Sequence, residues 1–332
     1  MSEYKGVMVY GELVEGRLSS ITTELLGCGR RLADELKEEL FCILVGDKLG
    51  ETPKKAIVFG ADKVYTAEDP LLKEYQTDSY VAVMERVVKD ISPRILLFGQ
   101  TSVGRDLAPR LAFRLGSISS MDCIELSIDP GTKGLQQTKP VYGGNARATF
   151  TSETFPQIAT VRQKAMSPLA PDESKKGEIA PIKVEMDPAK IRTKVLDTVK
   201  EEVAGIKLED AQAIVTGGRG IGGPDGFKQL EELAKALKGA VGASRPPCDN
   251  KWVPDTMQIG LTGKIVTPEL YIAVAVSGAS QHLAGCSGAK NIVAINKDPE
   301  ANIFKEARFG VVGDWKQVLP ALTERVKELL AG

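Results

Sequence analysis

The sequence predicts an α/β protein of two domains. The N-terminal one is a Rossmann-like, mostly parallel sheet with an antiparallel extension, and the C-terminal one is a doubly wound parallel sheet. Three observations carry this expectation. Apolar strand-like runs alternate with amphipathic helical stretches as far as Leu115, the pattern of a parallel sheet covered by helices. From Asp122 the texture changes to short β-rich runs punctuated by Gly131, Gly134, Gly143 and Gly144. After Ala211 the alternation returns, and each strand-like run hands over to a small or polar cluster.

In chain order, Val7 to Tyr10, Phe41 to Val45, Lys63 to Thr66 and Ile95 to Phe98 read as strands. Helices are expected over Leu18 to Leu40 and Asp78 to Asp90, with a shorter one after Pro53. Gly104 to Leu115 repeats apolar residues at helical spacing despite Pro109, where a kink is expected. Cys123 to Ile128, Leu135 to Tyr142, Ala146 to Thr151 and Gln157 to Arg162 form the expected antiparallel extension of the sheet. Ser167 to Pro188 is rich in Pro, Lys, Glu and Asp and reads as surface loop, with a short strand at Ile182 to Glu185. Glu201 to Asp210 is polar and flexible in character, which places the domain boundary near Gly205. The two domains are then 1–204 and 205–332. In the second, strands are expected at Ala213 to Thr216, Gly239 to Gly242, Met257 to Gly260, Tyr271 to Val276, Asn291 to Ile295 and Phe309 to Val312. A last helix runs from Trp315 to Leu330.

Composition narrows the function. At 332 residues the chain is long enough for two separate cores. A formal net charge of −1 gives no field to attract nucleic acid or an anionic membrane, and 5% aromatic content is poor for base stacking. No apolar run reaches bilayer length, so no membrane insertion is expected. The N-terminus runs straight into a strand-like segment without a signal pattern, which makes the cytoplasm the expected location. Cys28, Cys42, Cys123, Cys248 and Cys286 are scattered and include no Cys-x-x-Cys pair. With a single histidine in the chain, no zinc or iron–sulfur site is expected.

In an all-parallel sheet, every strand-to-loop handover falls on one edge, where ligands bind. Here those handovers are Gly217 to Gly220, Ala243 to Arg245, Leu261 to Lys264, Ser277-Gly278, Asn296 to Asp298 and Gly313 to Trp315. Several loops converging on one rim suit a long, phosphate-bearing ligand of dinucleotide size. The sequence around Gly217 to Gly220 is neither a Walker A motif nor a spaced G-x-G-x-x-G, which argues against a P-loop ATPase and the usual NAD fingerprint. Pro246 and Pro247 follow Arg245, so its backbone is expected to be extended, and a cation stiffened in this way suits a planar ring or a phosphate. Asp314 could take an adenine amino group or a ribose hydroxyl, or equally N-cap the last helix. His282, the only histidine, follows a buried run and a Ser-Gly break where a helix can start. Such a start favours anions, although on position alone a histidine that merely caps or packs is the better reading.

Leu270 to Asn296 (LYIAVAVSGASQHLAGCSGAKNIVAIN) resembles the signature of the electron-transfer flavoprotein α subunit, and VTGGRG, VGASRP and QIGLTGK precede it in the family's order. The resemblance spans the chain and is most specific from Ala211 to Trp315. It implies FAD held by the C-terminal domain, a heterodimer with a β subunit, and redox partners such as acyl-CoA dehydrogenases. It also implies an electron carrier rather than a self-contained enzyme, with electron bifurcation left to the β subunit's own ligand. The FAD contacts it implies are Arg219, Ser244, Arg245, Ile259, Gly260, Leu261, Thr262, Ser277, Gly278, Ala279, Ser280, Gln281, His282, Asn296, Asp314 and Trp315. Family roles put Thr262 near the flavin N5, Arg245 beside the ring system and His282 on the O2 side. Leu261 departs from the glutamine that other members often carry at that position. A charge-assisted hydrogen bond of about 1.5–3 kcal/mol would move a one-electron potential by about 65–130 mV, enough to tune such a carrier. The rival readings are an NAD(P)-binding module of transhydrogenase-like type and a non-redox nucleotide-binding scaffold.

Overall fold

The computed structural model describes residues 4–144, 146–198 and 206–331. Its first compact unit holds Met1–Val141 and Arg147–Val199, and its second holds Tyr142–Ala146 and Lys200–Gly332. The expected boundary near Gly205 and the first part of the flexible stretch at 201–210 lie outside the described residues.

The first unit begins with β1 (Val7–Gly11), a short ribbon of β2 (Leu13–Val14) and β3 (Arg17–Leu18), and α1 (Ser20–Leu36). Ser19 caps α1 by accepting from the Thr22 N–H, and Lys37 ends the helix in the left-handed conformation, so it stops short of the expected Leu40. β4 (Leu40–Gly46), α2 (Thr52–Val58), β5 (Lys63–Glu68), α3 (Thr77–Ile91), β6 (Ile95–Gly99) and α4 (Ser102–Leu115) follow. After them come β7 (Ser119–Cys123), β8 (Glu125–Ile128), β9 (Leu135–Val141), β10 (Ala146–Phe150), β11 (Gln157–Val161) and β12 (Glu178–Pro181).

Seven strands form one sheet in the order β12-β5-β4-β1-β6-β11-β7, and every pairing in it is parallel. Val7 and Val9 join a core cluster with α1 and α2, whereas Met8 and Tyr10 join one with α3 and α4. Successive side chains of a strand point to opposite faces, so a strand buried on both sides must be apolar throughout. This unit therefore has helices on both faces of its sheet.

Two expectations are corrected here. Gln157–Val161 is not antiparallel; it enters the main sheet parallel, between β6 and β7, with all five residues buried. The antiparallel pairing of β8 with β9 belongs to a separate three-stranded sheet, ordered β10-β9-β8. The strand placed at Ile182 to Glu185 instead occupies Glu178–Pro181, parallel to β5.

Glu12, just after β1, accepts a hydrogen bond from the Thr101 hydroxyl at 2.7 Å, and burial pushes its carboxyl up to about 7. A native pKa raised above the unfolded value gives stability that is full below the unfolded pKa and lost as pH rises through 7. Glu12→Gln should therefore raise stability by about 1–3 kcal/mol at about pH 8, with the gain vanishing near pH 4. Urea unfolding at the two pH values checks this.

The second unit contains β13 (Ala213–Gly217), α5 (Pro224–Ala236), β14 (Ala240–Ala243), α6 (Arg245–Asp249), β15 (Leu270–Val274), α7 (Ser280–Cys286), β16 (Asn291–Asn296), α8 (Ile303–Glu306), β17 (Phe309–Val312) and α9 (Trp315–Ala331). Its sheet runs β14-β13-β15-β16-β17 with all pairings parallel. Ile214, Tyr271 and Ala273 pack with α7 and α8 on one face, and Val215, Ile272 and Val274 pack with α5 and α9 on the other. Met257 to Gly260, expected as a strand, makes only isolated bridges, from Gln258 to Ala243 and from Ile259 to Lys264. All five cysteines are buried as free thiols. Among the described residues, no helix is long and apolar enough to cross a membrane, and no group of His, Cys, Asp or Glu could hold a metal ion.

Candidate functional site: the carboxyl edge of the second sheet

Because the second sheet is wholly parallel, the carboxyl ends of its five strands lie on one edge. Strand order reverses between β13 and β15, and the loops leaving those two strands diverge there to opposite faces. At this switch point the Gly218 N–H donates to the Val274 carbonyl at 2.9 Å. A Cβ on Gly218 would lie 2.0 Å from the Ala275 carbonyl oxygen, so only glycine lets these two turns meet. Ala275 itself has a positive φ of 54°, a costly conformation for a residue with a side chain. Gly278, at φ 80°, leaves no room for a Cβ, which would stand 2.2 Å from the Ile303 nitrogen.

The expected contact residues divide into two groups. Arg219, Arg245, Leu261, Thr262, Ser277, Ala279, Ser280, Gln281 and Asp314 are exposed, and they lie just beyond strand ends, on the turn after Ile259, or on the turn before α7 and its first two residues. Around Gly222 and Gly223 there is open space. Arg245 is not extended as expected but opens α6, with the prolines that follow it taken into the first turn, where their missing N–H groups cost nothing. It pairs with Asp249 at 3.2 Å, one turn along. Two exposed guanidiniums, hydroxyl and amide groups, and the 54%-exposed Leu261 make a donor set that fits a dinucleotide with an apolar ring system.

The second group is buried and holds the rim together. Asn296, at the end of β16, donates to the Val276 carbonyl at 2.8 Å and accepts from the Asp298 N–H at 3.0 Å. Trp315 donates its indole N–H to the Gly220 carbonyl at 3.1 Å and so fixes the turn that carries Arg219. Asp314, exposed as it is, also caps α9 through the Lys316 N–H at 3.0 Å, the second of the two tasks the sequence left open. Ser244, Ile259, Gly260 and Gly278 are also buried.

His282 is buried as well, and both of its ring nitrogens are occupied inside the domain. Nδ1 lies 3.0 Å from the Ile259 carbonyl, and Nε2 lies 2.8 Å from the Tyr271 hydroxyl. A carbonyl can only accept, so Nδ1 carries the hydrogen, and the phenol donates to Nε2. Burial drives the imidazole pKa down to about 4, so the ring is neutral at pH 7. The resemblance assigns this ring to the flavin O2 side; here its polar atoms instead serve the turn after Ile259. That turn is also tied to α7 by the Leu261 N–H, which donates to the Gln281 carbonyl at 2.7 Å. Within it, Gln258 donates to the Thr262 hydroxyl at 2.9 Å. Tyr271 was missed by the sequence reading. Its signal was a single phenol within an otherwise aliphatic buried strand.

A wholly parallel sheet with this order and this rim defines a dinucleotide-binding α/β domain. Comparison with known proteins makes the class specific. Residues 7–186 match the family model described as electron transfer flavoprotein domain, and residues 207–287 match the electron transfer flavoprotein FAD-binding domain. The α subunit of the electron transfer flavoprotein of Thermoanaerobacterium thermosaccharolyticum is 43% identical over 99% of this chain and 100% of its own length. That of Bacillus subtilis is 44% identical over 98% of each chain, and the FixB protein of Clostridium saccharobutylicum is 40% identical over 100% of this chain and 99% of its own. The chain belongs to the electron-transfer flavoprotein α-subunit family. Its second domain is an FAD-binding domain, and the family implies a heterodimer with a β subunit.

Proposed function

We propose that this chain holds FAD along the carboxyl edge of its second sheet and passes electrons in the cytoplasm from flavin dehydrogenases, acyl-CoA dehydrogenases among them, to a downstream acceptor. The convergence of five strand ends on a single rim that also bears Arg219 and Arg245 carries this reading. The bound flavin supplies one-electron acceptance and release; the protein binds, orients and tunes it. Arg219 and Arg245 supply the positive charge for the pyrophosphate and for a ring that gains negative charge. Thr262, its hydroxyl already engaged by Gln258, presents a fixed dipole on an exposed turn. Ser277 to Gln281 offer backbone and side-chain donors, and Leu261 covers apolar ring surface. Ser244, Ile259, Gly260, His282, Asn296, Asp314 and Trp315 complete the binding set by fixing the turns on which those groups stand. The redox chemistry requires neither a nucleophile nor a general base from this chain.

The purified heterodimer is expected to be yellow and to carry one FAD per α chain, which NADP in excess does not displace. A colourless preparation that takes up no FAD, or one that binds NADP at this edge instead, overturns the reading. The same flavin count shows whether the β subunit adds a second flavin, the condition for bifurcation.

A further inference from the structure

We propose that Tyr271 and His282 form a positioning pair. The Ile259 carbonyl fixes the hydrogen on Nδ1, the buried phenol holds the remaining nitrogen, and the ring so locked pins that carbonyl and the Gly260–Thr262 turn beyond it. The inference rests on the reading that this turn faces FAD, and it assigns Tyr271 a task at that site.

Geometry carries the proposal. Tyr271 is fully buried at the second position of β15, and His282 is 7% exposed at the third position of α7. Strand, imidazole and turn form a continuous line of hydrogen bonds: the phenol donates to Nε2, and Nδ1–H donates to the Ile259 carbonyl. If the hydrogen moved to Nε2, the bare Nδ1 lone pair would face the carbonyl oxygen at 3.0 Å, a repulsive contact in a dry setting. The carbonyl therefore selects the tautomer, and the phenol, by donating to the bare Nε2, holds the ring in the orientation that keeps the turn in place. Packing reinforces this seam, because a Cβ on Gly285 would lie 2.4 Å from the Gly260 nitrogen. α7 and the turn are thus packed backbone against backbone, with His282 between them.

The ionisable groups around the pair are few. Tyr271 faces the ring from β15; Cys286 lies beside the phenol on α7, and Glu306 of α8 acts on Cys286. No carboxylate is among the groups acting on the imidazole, and burial keeps it neutral. A ring in this setting holds its tautomer across the physiological range and gives the turn a constant anchor.

A chain with a single histidine makes the test direct. The heterodimer is prepared with ¹⁵N-labelled histidine, and the imidazole signal absent from His282→Asn identifies His282. The wild type is expected to show a protonated Nδ1 and a bare Nε2 that do not titrate between about pH 5.5 and 8. Tyr271→Phe keeps the ring volume but leaves Nε2 without a donor, so it should shift the Nε2 signal and the first one-electron potential of the flavin, at unchanged FAD stoichiometry. Tyr80→Phe, at a buried tyrosine of the first domain, should change neither. His282→Asn, whose amide can donate at the Nδ1 position, should stay closer to the wild-type potential than His282→Leu. Four results overturn the proposal: a hydrogen on Nε2 in the wild type, a ring titrating near 6.5, a Tyr271→Phe protein with unchanged nitrogen signal or potential, or His282→Asn no closer to wild type than His282→Leu. Should the wild type bind no FAD, the functional reading fails, and the nitrogen signals still judge the pair.

Discussion

Gly218→Ala is expected to cost the second domain about 3–5 kcal/mol and to abolish FAD retention. The added methyl carbon would meet the Ala275 carbonyl oxygen at 2.0 Å, its carbon at 2.6 Å and the Val276 Cα at 2.7 Å. All three are backbone atoms, so no side chain can swing away to relieve the overlap. Gly218 has an ordinary extended backbone at φ −95°, so the penalty comes from crowding alone. The two turns forced apart are those that open the switch point, and ligand binding should fail together with stability. Gly222→Ala is the matched control. That glycine has open space around it but a φ of 88°, so alanine there should cost only about 1–2 kcal/mol and leave FAD bound. Urea unfolding and the flavin content of the purified variants check both. A Gly218→Ala protein that is yellow and as stable as the wild type would show that the turns do not meet as described.

Trp315→Ala should be nearly as damaging, costing about 3–5 kcal/mol, because a large aromatic ring leaves a cavity that its neighbours fill only partly. The ring joins the core of α5 and the sheet, and the six-membered edge lies 3.0 Å from where a Gly226 Cβ would stand. Trp315→Phe separates packing from hydrogen bonding. It keeps most of the apolar contact and loses the bond to the Gly220 carbonyl, a loss of about 1 kcal/mol. If Trp315 fixes the turn bearing Arg219, FAD affinity should fall in both variants, and in the phenylalanine variant it should fall further than the small stability loss accounts for. Flavin titration alongside unfolding tests this, and unchanged FAD affinity in Trp315→Phe would remove the indole bond from the site.

The strand-and-helix alternation of both domains was legible because buried parallel strands are apolar on both faces and helices repeat at 3.6 residues. Partner choice was not legible from local pattern. Gln157–Val161 reads as one more short β run, and only its burial on both faces marks it as a central parallel strand. Met257 to Gly260 has strand-like composition, but it leaves the sheet after bridging Ala243 at Gln258. Within the site, the placement of loops on one edge followed from sheet topology alone. The direction of each side chain did not. Whether His282, Asn296 and Trp315 face outward depends on tertiary partners such as Tyr271, Val276 and Gly220, which sit 11, 20 and 95 residues away in the chain.

The burial of every cysteine has a practical consequence. Burial also raises the thiol pKa, to about 11 for Cys28 and Cys248 and to about 12 for Cys42, Cys123 and Cys286, so the folded chain offers oxidants and alkylating agents almost no thiolate. Three of these sulfurs lie in the first domain and two in the second. The chain thus carries its own reporters of local opening, since each half becomes chemically visible only when its interior does.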